Sequence, residues 1–149
     1  FGLCWISIVG NSQDLKLDKK EKKEARKAER LKDYEALGTL LESRKFVFEA
    51  DKVSSQMFNN RISPDHNYIR FDTLSAFIQF ERIIKSKKPL TWEGNIVGWE
   101  LEKNDKKLYY DLKFNISTVI QNYYMFINYD SSANLRIGGF MYLGYIRQL

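Results

Sequence analysis

The sequence predicts an α+β domain, mainly β, in which a charged N-terminal helix leads into an antiparallel meander curled into a sandwich or barrel-like sheet. Two observations carry that prediction. The apolar spacing switches near Lys45 from steps of three and four residues to steps of two, and no helix-length segment separates the later strands, which excludes a Rossmann-like sheet. Composition agrees with both: of 149 residues, 44% are hydrophobic, 15% aromatic and 29% charged, too apolar for a disordered chain and too polar for a membrane bundle. A chain of this size is expected to form one core.

Phe1 to Gly10 (FGLCWISIVG) is almost unbroken apolar sequence, followed by Asn11, Ser12 and Gln13. Ten residues fall short of the roughly twenty that cross a bilayer as a helix, so no transmembrane span is expected. The length suits the hydrophobic region of a secretory signal peptide, and Gly10 and Ser12 supply the small residues for cleavage before Gln13. Residues 1–12 are therefore expected to be the C-terminal part of a signal peptide, truncated because the sequence begins with Phe1 rather than Met. Lipidation at Cys4 is disfavoured, since Leu3 stands where that processing requires a small residue. As the sole cysteine, Cys4 also leaves no intramolecular disulfide and no cysteine-based metal cluster.

Residues 13–44 are assigned to a charged helix. Asp18 and Glu21 form a capping-box pattern, and Lys19 to Arg44 contains no Pro and one Gly. Tyr34, Leu37, Leu40 and Leu41 make an apolar stripe in the second half, while the first half has few apolar residues and should project into water. Asp14 to Asp33 holds nine Lys or Arg against six Asp or Glu, most of the excess behind the formal net charge of +5. The acids are interleaved with the bases, a pattern of a solvated helix and not of a nucleic-acid surface, so no nucleic-acid partner is expected.

Residues 45–149 are assigned to the β domain. Phe46, Phe48 and Ala50 alternate with Val47 and Glu49 as a first strand. Asn67 to Asp72 and Ser75 to Phe80 follow, joined by a turn near Thr73, with Asn59, Asn60, Ser63, Pro64 and Asp65 read as loop. Ile84 to Pro89 is a basic linker. Val97, Trp99 and Leu101 then alternate with Gly98, Glu100 and Glu102, and Asn104 and Asp105 mark a turn. In the next strand Leu108, Tyr110, Leu112, Phe114 and Ile116 face the core, because one side only of that alternation can be buried. Ile120 to Tyr129 and Leu135 to Ile146 complete a second hairpin, with Gly138 and Gly139 read as a bulge or a close approach inside a strand.

The run Glu42 to Asp51 (ESRKFVFEAD) after a Lys/Glu/Ala-rich helix resembles the opening of the domain of unknown function 4251 family, found in exported proteins of Bacteroidota. The similarity continues through Asn67 to Asp72, Phe80 to Ile83, Trp92 to Ile116 with its charged turn Glu102 to Lys107, and Leu143 to Ile146. It spans roughly residues 20 to 149. These motifs are structural punctuation and silent about activity, so the resemblance implies an exported, β-rich domain of unassigned function. The chain departs from the family pattern at Glu81, where the family tends to have Gly, and at Ile84 to Pro89, which replace a Gly-rich stretch.

A search for chemistry excludes more than it finds. His66, the only histidine, follows Pro64 and Asp65 in a loop, and no serine lies in a G-x-S-x-G setting. No phosphate-binding G-x-x-x-x-G-K motif occurs, and no metal site or cofactor is expected. Glu100 and Glu102 share a strand face with Asp111 across the hairpin, but Lys103, Lys107 and Lys113 lie nearby and make an exposed charge ladder. Tyr109, Tyr124, Phe126, Phe140 and Tyr142 should lie together on the second face of the C-terminal meander, as a ligand-binding band or as the surface covered by Leu37, Leu40 and Leu41 of the helix. The function expected is that of an exported, periplasmic or cell-envelope protein acting as a non-enzymatic binding or structural module. Its partner would be a lipid, a glycan or an envelope protein; the alternative is a small hydrolase acting on envelope material.

Overall fold

The period-two sequence after Lys45 becomes nine antiparallel strands, preceded by one helix. The computed structural model describes residues 2–81 and 90–149, with side chains described from Lys16 onward except Leu17; the predicted linker Ile84 to Pro89 lies outside them. The elements are α1 (Gly2–Ser43), β1 (Lys45–Ser54), β2 (Asn59–Arg61), β3 (Tyr68–Asp72), β4 (Ser75–Phe80), β5 (Leu90–Asn104), β6 (Tyr109–Ile116), β7 (Tyr123–Asn128), β8 (Ser132–Ile137) and β9 (Phe140–Gln148). Strands β3 to β9 each pair with the next in sequence, β1 pairs with β3, and β9 returns to pair with β1 from Phe46↔Gln148 to Ser54↔Met141. The sheet is therefore a closed eight-stranded barrel, with β2 as a short flap beside the end of β1.

Eight strands enclose a space that side chains can fill. Phe46, Phe48, Ile69, Phe71, Ile78, Leu112, Phe114, Tyr123, Met125 and Leu135 are all buried in one cluster. Their rings interlock, Phe114 lying 4.9 Å from Phe71 and 5.0 Å from Tyr123, centroid to centroid. Closure depends on a close approach at Gly144, where a Cβ would run into the Glu49 carbonyl oxygen of β1.

Helix α1 closes one end of this barrel. From Asp18 to Asp33 its residues are exposed, and then Tyr34, Leu37 and Leu41 enter the core. Tyr34 stacks on Tyr110 at 4.5 Å and donates a 2.8 Å hydrogen bond to Asp105 in the β5–β6 turn, while the Tyr110 hydroxyl donates to the Tyr34 carbonyl at 2.6 Å. Arg30 lies over Tyr129, Arg44 over Trp99, and Lys103 pairs with Glu42 at 2.6 Å. Beyond Asn95, β5 has left β4 and pairs with β6, and the contacts of Glu42 with Lys103 and of Arg44 with Trp99 fasten the end of α1 to that stretch.

Five expectations need correction. Asp18 does not start the helix, which is already continuous from Gly2; a capping box in mid-helix is a good local signal without a terminus to cap. Asn59–Arg61, read as loop, adds three residues to the edge of β1. Val97 points outward and is 61% exposed, because a bulge between Ile96 and Gly98 puts Ile96, Trp99 and Leu101 on the inner side. Leu108 is half-buried in the turn before β6 with φ 58°, whereas Tyr110, Leu112, Phe114 and Ile116 are buried as expected. The run from Leu135 to Ile146 is two strands, folded back at Gly138–Gly139, where Gly138 takes φ 58°. Glycine at the first of two turn residues permits that left-handed backbone without steric cost.

A candidate ligand groove on the outer face of the barrel

Alternation puts every second side chain of β5 to β9 on the outside, and the strand register aligns those side chains into rows. One row runs Glu100, Lys113, Tyr124, Arg136, Met141, and the next Glu102, Asp111, Phe126, Asn134, Leu143. The two rows line a groove of about 620 Å³ across the outer face. Its centre is aromatic. Tyr124 is 51% exposed with the Lys113 ammonium 5.8 Å from its ring centre, and Phe126 lies 4.7 Å from Tyr109, itself held by a 3.1 Å hydrogen bond from Asn104.

Only a few charged side chains among the described residues are tied into the fold, and those of the groove are not among them. Glu42, Glu49, Glu81 and Asp105 are engaged in ion pairs or hydrogen bonds that hold the fold. Among the described residues, Glu100, Glu102, Asp111, Lys113 and Arg136 make no ion pair within 4.0 Å and no side-chain hydrogen bond. Glu102 and Asp111 are direct cross-strand partners, a placement of like charges that weakens a sheet. So the face presents unused donors and acceptors around an aromatic floor.

Of the five residues expected in one aromatic band, the structure places Tyr109, Tyr124 and Phe126 together on the outside. Phe140 and Tyr142 are elsewhere. Because the Gly138–Gly139 turn sets Leu135 opposite Tyr142, Tyr142 points into the barrel, 6% exposed and 4.2 Å from Phe80. Phe140 packs on Phe58 at 6.0 Å, near the end of the barrel opposite α1. Met141 and Leu143 take their places outside. The helix does not cover the band, since Leu37 and Leu41 are used at the barrel end. Lys113, Arg136 and Asn134 were not foreseen as partners of the aromatics; their alternation with buried residues was visible, but their alignment across strands needed the register.

His66 is exposed in its loop, as expected. Nearby, buried Asn67 donates to the Ser63 carbonyl and to the Glu81 carboxylate at 2.9 and 3.3 Å, and accepts from the Glu81 amide at 2.9 Å. Glu81 thus helps to tie the β2–β3 loop to the end of β4. Among the described residues no cluster of His, Cys, Asp and Glu can hold a metal ion, and no helix is long and apolar enough to cross a membrane.

The described residues thus form a closed antiparallel barrel filled by its own side chains and capped at one end by a helix. The same fold is seen in a DUF4251 family protein from Bacteroides eggerthii, with a TM-score of 0.61 and 14% sequence identity over 78% of this chain and 87% of that one. The likeness is one of fold. No family model matches the sequence, and no curated protein does.

Proposed function

We propose that this chain is a non-enzymatic binding module of the DUF4251 type, and that its ligand lies in the outer groove of β5 to β9. The observation that carries this reading is the coincidence, in one groove, of exposed aromatics with five charged side chains that make no ion pair or side-chain hydrogen bond among the described residues. Folding stability does not favour such a surface, whereas recognition uses an aromatic floor ringed by polar groups. Among the described residues of the groove the hydrolase alternative has Glu102 and Asp111 as a direct cross-strand carboxylate pair, and both are exposed, while acid catalysis by a carboxyl group relies on an apolar pocket around it.

Export is part of the proposal, resting on the apolar run Phe1 to Gly10 and on Gly10 and Ser12 before Gln13. The ligand is then a component of the cell envelope. Mass spectrometry of the protein from its native host should find Gln13 as the first residue in the periplasmic fraction; an uncleaved cytoplasmic form contradicts export. For the groove, a fractionated digest of envelope material should raise the melting temperature of the full chain, because a ligand of the native state stabilises it by mass action. The shift should vanish in Tyr124→Ala/Phe126→Ala. An unchanged shift in that variant contradicts the groove.

A further inference from the structure

The groove is polarised across the strands. Glu100, Glu102 and Asp111 stand on β5 and β6, and Arg136 stands on β8 beyond the aromatic floor of Tyr124 and Phe126. Three strand spacings separate β5 from β8, about 14 Å along the surface. A ligand that lies across the strands therefore meets carboxylates, then rings, then a guanidinium. Lys113, opposite Glu100, leaves the β5–β6 side with a net negative charge.

Resting on the binding-module reading, we infer that the groove takes an extended peptide segment carrying a cationic side chain over β5–β6, an aromatic or apolar side chain over Tyr124 and Phe126, and a carboxylate against Arg136. Extended chains advance about 3.3 Å per residue, so side chains four positions apart lie about 13 Å from each other. Alternation also puts the first, third and fifth side chains on one face. The length and the charge order of the groove both match such a segment. A neutral glycan would satisfy the aromatic floor but would leave the opposed charges without counterparts.

The test uses the full chain, isotope-labelled for amide-shift mapping, and three probes: acetyl-Lys-Thr-Tyr-Thr-Glu-amide, its neutral analogue acetyl-Gln-Thr-Tyr-Thr-Gln-amide, and a trimer of N-acetylglucosamine. The charged peptide should shift residues 100–102, 111–113, 124–126 and 134–136. The neutral analogue should bind roughly tenfold more weakly, the loss of a charge-assisted hydrogen bond. Arg136→Glu should weaken the charged peptide by a similar factor, and Lys107→Ala, in the exposed β5–β6 turn, should not. Equal affinity for both peptides overturns the inference, and so does a saccharide that shifts these residues when the peptides do not. Silence toward all three probes also overturns it. If the envelope digest still acts through Tyr124 and Phe126, only the peptide assignment has failed; if the digest is silent as well, the binding reading falls with it.

Discussion

Residue identity decides which side of each strand is wet, and here that was largely legible. In β6, Phe114 is 1% exposed and touches Phe71 and Tyr123, while its neighbour Lys113 lies on the outer face. Phe114→Ala should lower stability by about 3–5 kcal/mol in denaturant unfolding, and Lys113→Ala by less than about 0.5 kcal/mol. Comparable losses would mean that the register is wrong. Tyrosines carry a second residue-level signature. Burial pushes the phenols of Tyr34, Tyr110, Tyr123 and Tyr142 above the ordinary value of 10.0, and at Tyr34 the hydrogen bond to Asp105 adds to it. Above pH 10 the unfolded chain releases these protons and the folded one retains them, so the unfolded state binds fewer and stability falls with rising pH. The contribution is complete below about pH 10 and is lost above it. Unfolding midpoints measured alongside tyrosinate absorbance should show this decline; a flat profile would place these rings in water.

At the scale of elements, local signals located β1, β3, β4, β6, β7 and part of β5, missed β2 and merged β8 with β9, and failed where the pattern depends on a turn or on one extra residue. Val97, Trp99 and Leu101 alternate as well as Ile96, Trp99 and Leu101 do once a bulge is inserted, and only packing against β6 selects the second. Gly138–Gly139 was the one turn that could have been read. A Gly-Gly pair between two alternating runs is a hairpin signal, and taking it as such puts Tyr142 inside the barrel. The helix shows the converse case, in which the apolar stripe was legible but its destination was not. Tyr34, Leu37 and Leu41 seal an end of the barrel, a site that exists only after β9 has found β1. Gly38 sits in this contact, where a Cβ would press on the Tyr110 hydroxyl. Gly38→Ala would favour the helix by about 1 kcal/mol from propensity. Yet Tyr110 is held by its bond to the Tyr34 carbonyl and has little room to yield, so the net effect should be destabilising by about 1–3 kcal/mol. Thermal unfolding reads the sign, and a stabilised variant would show that the helix end is loosely docked.

The whole molecule is a filled barrel whose inner face makes the fold and whose outer face carries the groove proposed to bind a ligand. Closure came from a pairing between residues just over a hundred positions apart, Phe46 with Gln148, and no local pattern encodes such a contact. The groove is a consequence of that closure. Of its aromatics three of the five expected lie together, while its charges read as a ladder because the rows across β5 to β8 follow from register alone. A β-barrel that bound its ligand inside would need an unfilled interior; here Phe48, Ile78 and Leu135 are 0% exposed within one cluster. The location of the ligand is thus the central claim, and amide-shift mapping of the full chain with the envelope fraction that raises its melting temperature tests it most directly. The account predicts shifts confined to the outer rows of Glu100, Lys113, Tyr124 and Arg136 and of Glu102, Asp111, Phe126 and Asn134. Shifts centred on Phe48, Ile78 and Leu135, or at the barrel end where Phe58 meets Phe140, would contradict it.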